Sequence, residues 1–399
     1  MDSDKYNRYD VNSSKKNALP IGLHQSLVDA TKTPPPIPHC YDTIVLGLGA
    51  MGSACIYHLA KRGNKVLGIE QFDLANELGS SGGISRQTKV APYLGSDHEP
   101  IIHKANENWK ILEKDSGQKI YYRCGWLDIE SRSELSSEFL NKSGSQIQLL
   151  SPKEVAKRYP QFENLPEERD SLFDPEGGLL LSELAIACHC RVALEKGAHL
   201  RSKESVAGWS SDSSGVTVKT CKGIYRAKHL IVSAGPWTEN VLPQLKPRLN
   251  VTRLALGWFS IVGTDTFSVK SSPVWGYGDY YGFPVIADSP GVKVAKHWRG
   301  TPTKPDSLDR TPNADDQELL RRFLRENFPS VNNTLLATKI CMYTHGGPWI
   351  DFVPGEKRVS FISACNGGGF KFSSAYGQAL ADMAMFGMTD LPVQFMNVN

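Results

Sequence analysis

Residues 43–70 read TIVLGLGAMGSACIYHLAKRGNKVLGIE, and this stretch decides the fold. Thr43 to Leu46 is a short apolar run of the kind that forms a strand buried on both faces, and it leads straight into Gly47, Gly49 and Gly52. Each glycine has its own task. Gly47 permits the tight turn, Gly49 lets the backbone approach a pyrophosphate, and Gly52 lets the following helix pack against the strand. That helix presents free N–H groups and the positive end of its dipole to phosphates. Gly63 can end it in a left-handed cap, and Lys65 to Ile69 reads as the second strand. Glu70 stands at the strand tip, where a carboxylate binds ribose hydroxyls. Strand, glycines, helix, strand and tip acid in this order predict a bound dinucleotide with an unphosphorylated ribose. The alternative is a glycine turn in an ordinary α/β protein.

A chain of 399 residues can bury a large core and is expected to form two domains or one large composite. Net charge is +3, from 45 basic and 42 acidic residues, which gives no broad basic field and implies no nucleic-acid partner. No apolar run reaches the length of a membrane span, and the opening MDSDKYNRYD lacks the basic-then-apolar pattern of a signal peptide. A soluble protein without a membrane partner is therefore expected. The final residues, Met396 to Asn399, carry no peroxisomal address, so the cytoplasm is the default location. The eight cysteines show no CxxC pair or repeat spacing, and neither a zinc site nor a disulfide framework is indicated. Cys188 and Cys190, two apart on a predicted helix, point to different faces.

Residues 1–40 are polar and end in Pro34, Pro35, Pro36 and Pro38, which predicts a mobile arm; docking of LPIGLHQSLVDA, residues 19–30, as a short helix is the alternative. GSSGGISR, residues 79–86, is a small-residue loop suited either to close approach of a flat cofactor or to a flexible surface. Arg86 and Lys89 follow within one turn, and two cations beside a glycine loop suggest contact with an anion. Ile102, Ala105, Trp109 and Leu112 keep helical spacing and predict a core-facing helix. Ser151, Pro152 and Glu154 start a short helix through a capping box. A further helix is expected over Ser182 to Lys196, and strands over Val216 to Val218 and His229 to Ser233, the latter running into Ala234-Gly235-Pro236.

Val251 to Val262 and Tyr281 to Ile286 are strand-like, and Asp288 to Gly291 makes a turn into Val292 to Trp298. In that last strand Lys293 and His297 share a face, which fits a site wall and a solvated sheet face equally well. Asp315 to Phe328 is amphipathic, with Leu320, Phe323 and Leu324 inward. Cys341-Met342-Tyr343-Thr344, a strand over Val359 to Ala364, the loop Asn366-Gly367-Gly368-Gly369 and a helix over Ser374 to Phe386 complete the chain. A second glycine loop opening a helix is again an anion-binding device, suited to the negative charge that a reduced flavin develops.

The combination of GLGAMG (47–52), Glu70, GSSGGISR (79–86), YYGFP (280–284), GVKVAKH (291–297), CMYT (341–344) and GGGFKFSS (367–374) resembles the monomeric sarcosine oxidase family of flavoenzymes, with N-methyltryptophan oxidase and L-pipecolate oxidase. The likeness runs from about Tyr41 to Met388, and CMYT with GFKF is its most specific part. It implies an α/β, two-domain α+β flavoprotein. A Rossmann-type FAD-binding domain would take residues 41–120, 184–242 and 348–390, and a mixed-sheet substrate domain 121–183 and 243–347. Cofactor contacts would come from Gly47, Gly49, Gly52, Glu70, Ser80, Ser81, Arg86, Gly367, Gly368, Gly369 and Lys371, with FAD joined by a thioether to Cys341.

By the same resemblance Lys293 looks like the lysine that activates oxygen near flavin N5, Lys371 like a carboxylate anchor, and Arg86 like the arginine that covers one flavin face. Tyr281, His297 and Tyr343 look like pocket residues, and the resemblance leans toward a monomer. Three positions depart from the family pattern. Lys89 stands where a second arginine usually grips the substrate carboxylate, and a lysine keeps the charge but loses the planar fork. Gly368 replaces a histidine. HGGPW, residues 345–349, replaces an acidic stretch after CMYT.

The function expected is therefore an FAD-dependent oxidase of a secondary, N-methylated or cyclic amino acid, which reduces oxygen to hydrogen peroxide and needs no metal. The protein supplies placement and fixed charge, because the flavin carries the redox chemistry. A dehydrogenase that uses another electron acceptor, and a flavin-binding protein without turnover, are the alternatives.

Overall fold

The computed structural model describes residues 21–32, 40–90, 97–129, 146–162, 164–167, 169–245, 248–261, 265–286, 289–297, 300–329, 331–363 and 365–398. The predicted arm over 1–20, the proline run at 34–38, and the positions of Val262, Asp288, Trp298, Ala364 and Asn399 lie outside them. No helix among the described residues is long and apolar enough to cross a membrane.

The doubly buried apolar runs build a parallel sheet in the order His199–Arg201, Val66–Ile69, Tyr41–Leu46, Ile224–Val232, Glu356–Ser363. Val206–Asp212 and Gly215–Thr220 extend it antiparallel from the first half of Ile224–Val232, and Trp349–Val353 lies antiparallel to Glu356–Ser363. Helices Ala50–Lys61, Ser182–Glu195 and Ser373–Phe386 pack together beside this sheet. Two glycines explain how the first turn closes. Gly47 has φ 83°, and a Cβ there would lie 2.5 Å from Ser233 O; one on Gly52 would lie 1.8 Å from Gly47 O. No side chain can occupy the second position while helix and strand pack this closely. Gly63, also at positive φ, follows the end of the Ala50–Lys61 helix as expected.

The second sheet is mixed. Val331–His345 runs antiparallel along Asn250–Ile261, with Cys341 opposite Leu254. Val292–Lys296, Tyr280–Phe283, Val274–Tyr277, Trp126–Ile129, Ser171–Asp174 and Gln148–Leu150 follow, antiparallel except where Val274–Tyr277 meets Trp126–Ile129. Ile102, Ala105, Trp109 and Leu112 are fully buried on the Glu99–Ser116 helix, as their spacing requires. The capping box of Ser151 and Glu154 starts the Pro152–Arg158 helix. Ala314–Asn327 buries Leu320, Phe323 and Leu324, and has its own capping box, between Asn313 and Asp316.

Two expectations are corrected. Part of the predicted mobile arm is a docked helix, Ile21–Lys32, whose Leu23 and Leu27, four apart and so on one face, are buried against the core beside Ser182–Glu195. Arg86 and Lys89 do not share a helical turn. Ser85–Thr88 is a strand paired antiparallel with Gly178–Leu181, and a spacing of three along extended backbone turns the two side chains to opposite sides.

Candidate active site

A cleft opens at the C-terminal ends of the parallel strands, where Leu46, Ile69, Ser233 and Ser363 meet the second sheet at Tyr343 and Thr344. This is where open α/β sheets bind ligands. At one end, Glu70 accepts hydrogen bonds from Leu48 N at 2.8 Å and Phe72 N at 3.0 Å. Burial pushes its carboxyl up, against the pull of those backbone donors. Next to it the Ala50–Lys61 helix begins at Gly49, which offers no side-chain cap, and a Cβ there would meet nothing within 4 Å. Ser80 and Ser81 line the wall beyond. The Oγ atoms of Ser80 and Ser363 are buried in this cleft without a hydrogen-bond partner among the described residues. A bare helix N-terminus, an acid at the strand tip and unpartnered hydroxyls are what a dinucleotide requires, so the residues present fit FAD.

At the other end three predicted residues converge on the loop of residues 80–86. Arg86 folds back to donate to Ser80 O at 2.9 Å, Gly82 O at 2.6 Å and Ser85 O at 2.7 Å, and its Nη2 lies 3.8 Å from Cys341 Sγ. Lys293, 1 % exposed, donates to Gly83 O at 2.8 Å and Ser85 O at 2.7 Å. Burial first, then the Arg86 charge, drives its ammonium well below the ordinary lysine range, with Glu183 pulling the other way. Of the two readings of its strand face, Lys293 takes the buried wall.

Glu183 is a residue that the sequence reading missed. Buried in the first turn of Ser182–Glu195, it accepts from Gly83 N at 2.6 Å and Ile84 N at 3.0 Å, and so fixes the loop that carries Arg86. Burial raises its carboxyl, but Lys339, Ser182 and Arg86 together outweigh burial and hold it below the usual glutamate range. The signal available was an acid opening an otherwise apolar helix directly after a strand.

Tyr343 connects the cleft to a second group. Its hydroxyl lies 3.3 Å from that of Tyr281 and 3.4 Å from His297 Nδ1, and its ring fills the space where a Cβ on Gly367 would sit. Burial raises both tyrosines. His297 stands exposed, yet the surrounding protein and then Lys89 and Lys371 hold it below the usual histidine range. Lys371, 5 % exposed, donates to Gly368 O at 2.6 Å, and burial lowers it to about 8. Lys89 lies with its ammonium 3.6 Å above the Trp126 ring; burial lowers it to about 7, while Asp128 raises it and Lys371 lowers it further. Lys89 thus belongs with Lys371 and His297, apart from the Arg86 cluster. A Cβ on Gly368 would come within 3.4 Å of Lys371 Nζ, so the missing side chain leaves that ammonium room.

Known proteins match this chain along most of its length. It is 32% identical to a monomeric sarcosine oxidase of Bacillus sp. (strain NS-129) over 375 residues, covering 90% of this chain and 96% of that protein. It is 28% identical to N-methyl-L-tryptophan oxidase of Yersinia pestis over 355 residues, 86% of this chain and 94% of that one. Among solved structures, the open form of NikD, described as an unusual amino acid oxidase essential for nikkomycin biosynthesis, has a TM-score of 0.79 at 22% identity, covering 90% and 98% of the two chains. Glycine oxidase from Geobacillus kaustophilus follows the same fold with a TM-score of 0.75 at 17% identity, covering 91% and 99%. The model of the FAD dependent oxidoreductase family matches residues 42–383, from the first strand of the dinucleotide unit into the last long helix, and the chain belongs to that family.

Proposed function

We propose that the protein is an oxidase that uses FAD, held by a thioether to Cys341, to oxidise a carbon–nitrogen bond of a secondary, N-methylated or cyclic amino acid. Oxygen is the acceptor and hydrogen peroxide the product. The observation that carries this reading is the convergence of two buried lysines, Lys89 and Lys371, beside the Tyr281, Tyr343 and His297 group at the end of a dinucleotide cleft. The names of the sarcosine and N-methyl-L-tryptophan oxidases support the substrate class.

Bound FAD would supply the redox chemistry, taking two electrons from the carbon–nitrogen bond and passing them to oxygen. The chain's residues do the rest. Lys371, with the charge of Lys89 beside it, holds the substrate carboxylate through a charge-assisted hydrogen bond, which fixes the orientation of the neighbouring carbon. His297, held below the usual histidine range by desolvation in the surrounding protein and then by Lys89 and Lys371, offers a ring nitrogen to the substrate amine. Tyr281 and Tyr343 close the apolar side of the pocket. Lys293 and Arg86 set fixed donors around the 80–86 loop, where charge that develops in the reaction is stabilised without reorganisation.

An anaerobic screen tests the reading. Secondary and cyclic amino acids should bleach the flavin spectrum, and admitting air with no added acceptor should restore it with formation of peroxide. Bleaching by primary amino acids alone would overturn the substrate class, and recovery only with an added acceptor would make the protein a dehydrogenase.

A further inference from the structure

The Trp126–Ile129 strand sends Trp126 and Asp128 to one face, while Leu127 and Ile129 enter the core on the other. Its parallel neighbour places Gly276 opposite Asp128. A Cβ on Gly276 would lie 3.4 Å from Asp128 Oδ1 and 3.4 Å from Trp126 Cζ2, so the carboxylate and the indole share the space that this glycine leaves. The Lys89 ammonium lies 3.6 Å from the centre of that indole, within cation–π range. Cation, ring and carboxylate thus form one unit beside Lys371 and His297.

Among the described residues, Lys371 and Asp174 also act on Lys89, and His297 lies close to both lysines. Asp174 already accepts hydrogen bonds from Val90 N at 2.6 Å, Glu176 N at 2.9 Å and Gly177 N at 3.1 Å. Asp128 acts on Lys89 more strongly than Lys371 or Asp174 does.

We propose that Asp128 is a specificity residue: it holds Lys89 on Trp126 and so restricts the pocket to ligands with one carboxylate, taken mainly by Lys371, and an uncharged side chain. The proposal rests on the carboxylate site described above. A second carboxylate entering the pocket would face Asp128, and Lys89 would have to leave its partner to meet it. The like negative charges of the ligand's second carboxylate and Asp128 cannot share one lysine without cost, which excludes dicarboxylic amino acids.

The test uses the FAD-loaded protein, with acetate and malonate as probes and the flavin spectrum as readout. Wild type should prefer acetate. Asp128→Asn should improve malonate relative to acetate by about tenfold, the gain of one charge-assisted contact, and adding Lys89→Met should abolish that gain. An unchanged ratio, or a gain that survives in the double variant, overturns the proposal. A second measurement does not depend on ligands. If Asp128 holds Lys89, the losses in unfolding midpoint for Lys89→Met and Asp128→Asn will not add in the double variant, because both remove the same interaction; additive losses overturn it. Failure of either anion to bind any form would remove the carboxylate site itself, and the midpoints would still decide whether the two residues are a pair.

Discussion

Arg86 Nη2 and Cys341 Sγ lie 3.8 Å apart, although 255 positions separate the two residues in the chain. Cys341 is buried among Leu256, Trp258 and Ala295, and its Sγ also lies 3.6 Å from Ser80 O, so guanidinium and backbone carbonyl together give this thiol polar neighbours that an inert core cysteine lacks.

Attachment of flavin at Cys341 is the first expectation. Acid-precipitated wild-type protein should be yellow and fluorescent, and Cys341→Ser should release its flavin into the supernatant. Free FAD from fully flavinylated wild type would exclude the thioether.

Lys293 should act on the reaction with oxygen more than on reduction by substrate. Removing one preorganised donor beside developing charge costs about a hundredfold to a thousandfold in rate. Lys293→Met should slow anaerobic reduction much less than reoxidation, measured separately by stopped flow. Equal slowing of both would assign the residue to holding the 83–85 backbone, which it also contacts.

Lys371→Ala should weaken simple carboxylate inhibitors by about tenfold or more, since a charge-assisted hydrogen bond contributes about 1.5 to 3 kcal/mol. The pH dependence follows from the lowered ammonium. Only a protonated lysine attracts an anion, and with Lys89 lowered to about 7 and Lys371 to about 8, affinity should fall as pH rises from 7 through 8. Lys371→Ala should flatten this step; a variant that keeps both affinity and step would remove Lys371 from the site.

Much of this was legible because it was local. The dinucleotide unit lies within residues 43–70, where strand period, glycine spacing and tip acid are read in one window. Lys89 and Lys293 stand out by position alone, but the roles of the lysines are nameable only through motif resemblance, and their partners are not. Trp126 meets Lys89 because the Trp126 indole donates to Gln87 and Val90 N donates to Asp174, which lies opposite Trp126 in the sheet, and no local pattern encodes these contacts. Glu183 escaped for a related reason: its role is to receive backbone donors from residues 100 and 99 positions earlier. The docked helix is hard to read in sequence because polar composition outweighs two leucines that a neighbouring surface buries.

That helix supplies a stability test. Leu27, 1 % exposed, faces the core, so Leu27→Ala should cost about 2 kcal/mol or more if the helix stays seated. A thermal midpoint equal to wild type, at equal flavin content, would mean that the helix contributes nothing to the body.

The parallel sheet has a further consequence for biosynthesis. Its Glu356–Ser363 strand pairs with Ile224–Val232, and the Ser363, Gly367 and Gly369 wall of the cleft follows from that late segment. An emerging chain therefore holds the phosphate turn of residues 47–52 long before it owns a closed binding place. Cofactor capture must wait until nearly the whole chain has left the ribosome, so the supply of FAD acts on finished molecules, and a chain that stops short of residue 363 would fold around a missing strand and carry no flavin.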